Sequence, residues 1–227
     1  MASIATYRSR PGRYSDLIYM ASIYHAATLS DDLFDILFPT RHAHPDALVV
    51  HLHRLFQTRY WTPSYSLTVI VGEDDRPVGF SFWCYPNSSF SFAQRWLSPY
   101  SWFASFIRGV LQVRDFLFPI SLVDKEKGTS FSRVLESIKP RVLNTDRRRQ
   151  AMYLSTLAVH PKLQGRGLGS VLLSEGLQKA ERQDKASWLI GLKGTESYYS
   201  RHGFVEVARA NVGELASWQG GSIMFKE

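Results

Sequence analysis

Residues 154–170 read Leu-Ser-Thr-Leu-Ala-Val-His-Pro-Lys-Leu-Gln-Gly-Arg-Gly-Leu-Gly-Ser. An apolar run stops at Pro161, passes through a glycine-rich turn and opens into an amphipathic stretch. This order predicts a strand over Met152–Val159, a tight loop, and a helix over Leu168–Gln183. It brings the free N–H groups of a loop and of a helix N-terminus to one point, which is a ready anion site. Glycines at 165, 167 and 169 permit steep turns and the close approach of a bulky ligand. The anion expected there is a phosphate.

What the loop lacks narrows the ligand. A nucleoside triphosphate loop needs Gly-Lys-Ser/Thr after its second glycine, whereas Gly169 is followed by Ser170 and Val171. A dinucleotide fingerprint wants Gly or Ala at 170 and an acidic residue about twenty positions on; Ser170 and the Trp188-Leu189-Ile190 region supply neither. The spacing Gln164-x-x-Gly167-x-Gly169, directly after a Leu-Ala-Val-His-Pro strand end, resembles the acyl-CoA pyrophosphate loop of the GNAT superfamily of N-acetyltransferases. Tyr199-x-x-x-Gly203-Phe204 downstream strengthens the resemblance, which covers about 152–209.

The rest of the chain agrees in element order. Ile4–Arg10 reads as a first strand, and Asp16–Thr28 as a helix on its three- and four-residue apolar spacing. A second helix is capped near Ser30-Asp31-Asp32 and ends before Pro39; a third spans Asp46–Tyr60. Ser66–Val71 and Val78–Tyr85 form a hairpin about the polar turn 73–77. Residues 86–150 interrupt the pattern, aromatic in their first half and charged in their second. A structureless segment of that length is unusual, so one or two helices are expected. After the loop and its helix come a strand at Ser187–Leu192, a short helix at Glu196–Arg201, and strands at Gly203–Arg209 and Ser222–Phe225. The expected fold is α/β (α+β): one domain over 1–227, with a GNAT-like mixed central sheet of about six to seven strands flanked by helices and a helical insertion between strands 3 and 4.

Composition excludes several classes. With 44% hydrophobic and 14% aromatic residues, the chain has ample core material. Cys84 is the only cysteine, which rules out an internal disulfide and a cysteine-based zinc cage. No 18-residue apolar stretch exists to span a bilayer, and residues 1–13 lack the apolar segment of a secretory signal; a cytoplasmic protein is expected. A net charge of +7 permits polyanionic partners, but Arg147-Arg148-Arg149 is the one dense basic run and reads as a solvated loop. No nucleic-acid partner is expected. His42-x-His44 and His51-x-His53 would need further ligands to hold a metal, and none is expected.

Acetyl transfer from a thioester to an amine requires held phosphates, a polarised carbonyl and two moved protons. The resemblance implies acetyl-CoA as co-substrate, with its diphosphate on Gln164, Gly165, Arg166, Gly167, Leu168, Gly169 and Ser170. It implies pantetheine contacts at Leu157, Ala158 and Val159, with the Leu157 N–H as oxyanion donor between two splayed parallel strands. It makes Tyr199 the acid that protonates the departing thiolate, and puts Tyr198 in an apolar packing position. The amine's base is not evident. Relatives carry Glu or His on the strand where this chain has Tyr153 and Ser155, and Ser155 could relay through a water. His160 reads as part of a structural His-Pro turn, and His25, His42, His44, His51 and His53 lie in the segment that would wall the acceptor site.

Trp96, Phe103, Phe106, Ile107, Val110, Val113 and Leu117 in the insertion read first as core. A lid over an aromatic amine, a homodimer face and a membrane-surface helix are the alternatives. The expected activity is direct transfer to a small primary amine in a ternary complex, since Cys84 has no evident base partner. A protein lysine or N-terminal acetyltransferase, or a non-catalytic CoA-binding module, are the competing readings.

Overall fold

A computed structural model of the chain describes residues 7–86, 89, 98–120 and 125–227. Seven strands form one sheet: β1 (Arg8–Pro11), β2 (Tyr65–Val71), β3 (Pro77–Cys84), β4 (Met152–Val159), β5 (Ser187–Gly191), β6 (Val205–Arg209) and β7 (Ser222–Lys226), in the order β1-β2-β3-β4-β5-β7-β6. All neighbours are antiparallel except β4 and β5. The final strand therefore slips between β5 and β6, an order that strand patterning does not reveal. β1 lies at Arg8–Pro11 within the described residues; the expected start at Ile4 lies outside them.

Eight helices are labelled here: α1 (Leu17–Ala27), α2 (Asp32–Leu37), α3 (Pro45–Tyr60), α4 (Pro99–Leu117), α5 (Lys125–Val142), α6 (Asp146–Arg149), α7 (Leu168–Glu181) and α8 (Glu196–Ser200). Local chemistry sets several boundaries. Asp31 caps α2 by accepting from the Leu33 N–H at 3.0 Å. Pro45 opens α3, where its missing N–H costs nothing.

The apolar residues divide into layers on the two sides of the sheet. On one, Phe80, Phe82, Val69 and Tyr153 pack against α1 and α3, with Leu17, Met20, Leu48, Leu52 and Phe56 fully buried. On the other, Val159, Leu168 and Leu172, and nearby Trp83, Leu154 and Leu173, bury α7. β4 is thus apolar on both faces and central, as its sequence suggests. Gly176 permits the closest approach: a Cβ there would stand 2.0 Å from the Trp83 ring.

The insertion between β3 and β4 supplies α4, α5 and α6. Its aromatic half corrects the expectation of plain core. Only Ser101, Ala104 and Leu111 of α4 are buried, while Phe103, Phe106, Val110, Val113 and Leu117 are exposed, as are Trp102 and Phe116. Trp96 lies outside the described residues. The helix has a broad apolar arc and a narrow polar stripe through Ser105, Arg108, Gln112 and Asp115, and much of the apolar arc lies exposed. No helix among the described residues is long and apolar enough to cross a membrane.

Candidate active site

The pairing of β4 on both edges creates the site. Toward β3 the register runs Tyr153↔Cys84, Leu154↔Trp83, then Thr156↔Phe82 and Leu157↔Ser81, so Ser155 is the extra residue of a β-bulge. Simple alternation would put Tyr153, Ser155 and Leu157 on one face. The bulge resets the phase: Tyr153 packs on the α1/α3 side and Leu157 on the α7 side.

Toward β5 the parallel pairing runs only from Met152↔Ser187 to Leu154↔Leu189, after which the two strands part. The His160 N–H donates to the Val78 carbonyl at 2.8 Å. Antiparallel alternation then turns the polar backbone of Ala158 toward β3, and that of Leu157 and Val159 toward the gap. Ala158, grouped with Leu157 and Val159 in the sequence reading, accordingly presents its amide to β3 and its methyl to the core. The Gln164 side-chain amide donates to the Val159 carbonyl at 3.0 Å, so Gln164 braces the strand end.

Beyond the gap, the loop has the backbone its glycines foretell. Gly165 and Gly167 have φ of +75° and +81°, and a Cβ on either would meet nothing within 4 Å. Gly167 is the N-cap of α7, and the first capping bond runs from the Val171 N–H to its carbonyl at 3.1 Å. Among the described residues, the amides of Gly165 to Ser170 have no backbone acceptor. Six N–H groups without a backbone acceptor thus gather at the positive end of a 14-residue helix, with Arg166 exposed beside them. Leu168 is buried with Val159 and Leu172 and fixes the first turn of α7. Gly169 is helical; its missing Cβ makes room for Tyr198, whose hydroxyl would lie 3.2 Å from such an atom. His202 Nδ1 donates to the Tyr198 carbonyl at 2.9 Å, which leaves Nε2 to accept from the Ser170 hydroxyl at 3.2 Å. The loop, α7 and α8 therefore hold one another.

Tyr199, on α8, is buried among Leu154, Leu189 and Phe204. Burial pushes its phenol pKa well above the ordinary value, with Tyr198 next in effect, so it stays protonated at neutral pH. Cys84 is held as a neutral thiol by burial, and its Sγ lies 3.8 Å from Ser64 Oγ.

A cavity of about 430 Å³ reaches Ser155, Leu157 and Tyr199, while residues 158–170 and Cys84 do not line it. Its lining mixes both core layers: Leu154, Leu157, Leu189 and Tyr199 from the α7 side, Tyr24, Phe34, Leu52 and Tyr153 from the α1/α3 side. It therefore passes through the sheet where β4 and β5 part, with Ser155 and Thr156 on its wall. Phe131 and Leu135 of α5 close it, so among the described residues the charged half of the insertion, and not the aromatic half, walls the cavity. α5 is held by Arg133 and Ser130 on Glu214 and by Phe131 against Trp218, ring centroids 6.2 Å apart.

Of five histidines expected near the acceptor wall the structure selects one, and it adds an arginine that the sequence reading gave no role. His51 is the one histidine on the wall; burial lowers its pKa, and its ring lies 5.0 Å from that of Phe38. Arg59 reaches from α3 to donate to the Thr156 hydroxyl at 2.8 Å. Neither lies in a motif, and Arg59 meets a residue 97 positions away. Their one signal is a place on the apolar side of a predicted helix. His25, His42, His44 and His53 are not on this wall, and His160 accepts from the Lys162 N–H within its turn at 3.3 Å. Among the described residues, no three His, Cys, Asp or Glu side chains converge.

A family model described as an acetyltransferase (GNAT) domain matches residues 138–206, from the end of α5 through the loop, α7 and Tyr199. No curated protein sequence matches the chain. The fold is similar to that of a protein described as histone acetyltransferase HPA2 and related acetyltransferase from Corynebacterium glutamicum: 17% identity, 97% of this chain and 96% of that one, TM-score 0.58. It is also similar to a GCN5-related N-acetyltransferase from Rhodopseudomonas palustris, at 13% identity over 100% and 99% of the two chains, TM-score 0.54. The matched segment, described as an acetyltransferase (GNAT) domain, holds the loop, the parting strand and the tyrosine, and the fold of the whole chain is similar to that of these acetyltransferases.

Proposed function

We propose that the chain moves the acetyl group of acetyl-CoA to the primary amine of a small molecule, by direct transfer in a ternary complex. The observation that carries this reading is the cavity passing through the sheet between β4 and β5. It allows a thioester arm to enter along the α7 side and an amine from the α1/α3 side, meeting at the bulge.

The free amides of Gly165–Ser170, with Arg166, would cradle the diphosphate; the open space at Gly165 and Gly167 fits a group of that size. The pantetheine arm would pair with the backbone of Leu157 and Val159 in place of the missing β5 partner. The amine nitrogen attacks the thioester carbon, and the Leu157 N–H takes the oxyanion. As the C–S bond breaks, Tyr199 gives its proton to the sulfur, a role suited to a phenol kept neutral by burial. The amine's proton passes to His51, which its surroundings keep as free base, or to a water held by Ser155. Cys84 offers no thiolate for a covalent intermediate.

A small acceptor is favoured because the cavity is walled by α2, α3 and α5, and its volume suits one small molecule. The test is a panel of small amines and lysine peptides with acetyl-CoA, read by thiol release and product mass. Acetylation of small amines over peptides is expected. Tight acetyl-CoA binding with no thiol release from any acceptor would overturn the reading in favour of a binding module.

A further inference from the structure

Among the described residues, Arg59 is the one fixed charge on the cavity wall; the others that line it are apolar, neutral polar groups or His51. Three other buried or half-buried arginines each hold an acid: Arg10 pairs with Asp16, Arg41 with Asp35 and Arg54 with Asp115. Arg59 forms no ion pair among the described residues. Its guanidinium donates one bond, to Thr156, and is held over the rings of Phe56 and Tyr65, 6.0 and 5.7 Å from their centroids. Ring contacts occupy the faces of the guanidinium plane and leave the N–H fork at its edge for a planar acid. The charge is felt across the wall, where it opposes the effect of burial on the phenols of Tyr24, Tyr65 and Tyr153. An unpaired cation in so apolar a space is costly unless a ligand supplies the anion.

Resting on the transfer reading above, we propose that Arg59 anchors a carboxylate carried by the acceptor. The acceptor is then an amine with an apolar or aromatic body and an acidic group close to the nitrogen, as in an aromatic α-amino acid. Thr156 follows the bulged Ser155 and precedes Leu157, so a carboxylate on Arg59 would sit beside the site of transfer. Phe34, Leu52, Phe131 and Leu135 would take the body.

The test separates anchoring from turnover. Calorimetry compares 3-phenylpropanoate with 3-phenylpropanamide, which have one shape and differ in charge. The wild-type chain is expected to bind the acid at least about tenfold tighter, the scale of a charge-assisted bidentate contact. Arg59→Met should erase that preference while acetyl-CoA affinity, measured in parallel, reports that the fold is intact. In the transfer assay, Arg59→Met should lower kcat/KM for phenylalanine more than for phenethylamine. Should Arg59→Met not fold, Arg59→Lys, which keeps the charge without the fork, should retain only part of the preference. Equal binding of acid and amide by the wild-type chain overturns the proposal, as does a preference that survives in Arg59→Met. Acid preference without thiol release from either amine would overturn the transfer reading and leave the anchor standing.

Discussion

Replacing Gly167 by alanine separates the cost of a backbone from the loss of a ligand. Gly167 sits at φ +81°, ψ −5°, and a methyl group there would touch nothing within 4 Å. No steric clash enters, so the stability cost is that of forcing an L-residue into left-handed backbone, about 1–2 kcal/mol. For a chain of this size that lowers Tm by about 2–8 °C. The ligand effect should be larger and selective. Relief of the strain turns the loop, and with it the amides of Leu168, Gly169 and Ser170 that would meet the diphosphate. Loss of one charge-assisted bond is worth about 1.5–3 kcal/mol, or roughly a tenfold to hundredfold rise in Kd. Calorimetry with CoA and with acetyl-pantetheine, which lacks the diphosphate, reads the difference. Gly167→Ala should weaken CoA and leave acetyl-pantetheine unchanged. An equal loss for both, or CoA affinity unchanged in a variant that has lost stability, would refute the cradle.

Further expectations follow from the same geometry. Tyr199→Phe should lower kcat by about 10²–10⁴-fold with acetyl-CoA affinity retained; unchanged turnover at saturating substrate would remove Tyr199 from proton transfer. Gly176→Ala drives a methyl group into the Trp83 ring and should cost about 1–3 kcal/mol or more in denaturant unfolding, unlike Gly167→Ala, whose cost is strain alone. Phe106→Ser on the exposed face of α4 should shift stability by less than about 0.5 kcal/mol, whereas Leu111→Ala on its buried face should cost about 2–5 kcal/mol. Burial depresses the folded-state pKa of His51, so the unfolded chain binds more protons below pH 6.5 and the fold loses stability as pH falls through that value toward the lower folded one. His51→Gln should flatten that part of the stability profile; an identical slope would show that His51 does not titrate on unfolding.

The loop was legible because its chemistry is local. Glycines at 165 and 167 take left-handed backbone because no other residue does so cheaply, and the helix after them needs only its own periodicity. The short helix at Tyr199 was legible from the sequence, while the role given to that tyrosine comes from the resemblance carried by Tyr199-x-x-x-Gly203-Phe204. The aromatic half of the insertion was not: Phe103, Phe106 and Val113 have the composition of core, and exposure is decided by where α4 meets α3, not by residue type. The β4 bulge was equally hidden. Alternation in the sequence put Tyr153 and Ser155 together, and only pairing with β3 shows that Ser155 is the residue left over.

From the sequence alone came the strand, the glycine loop, the helix that follows and the short helix that carries Tyr199, because each rests on contacts within a few residues. Tertiary structure alone decided that β4 and β5 part after Leu154, that α5 walls the cavity, and that Arg59 and His51 reach it from α3. Those outcomes depend on pairings across the whole chain, such as Arg59 with Thr156, whose energies are set by burial and register and leave no mark on neighbouring residues.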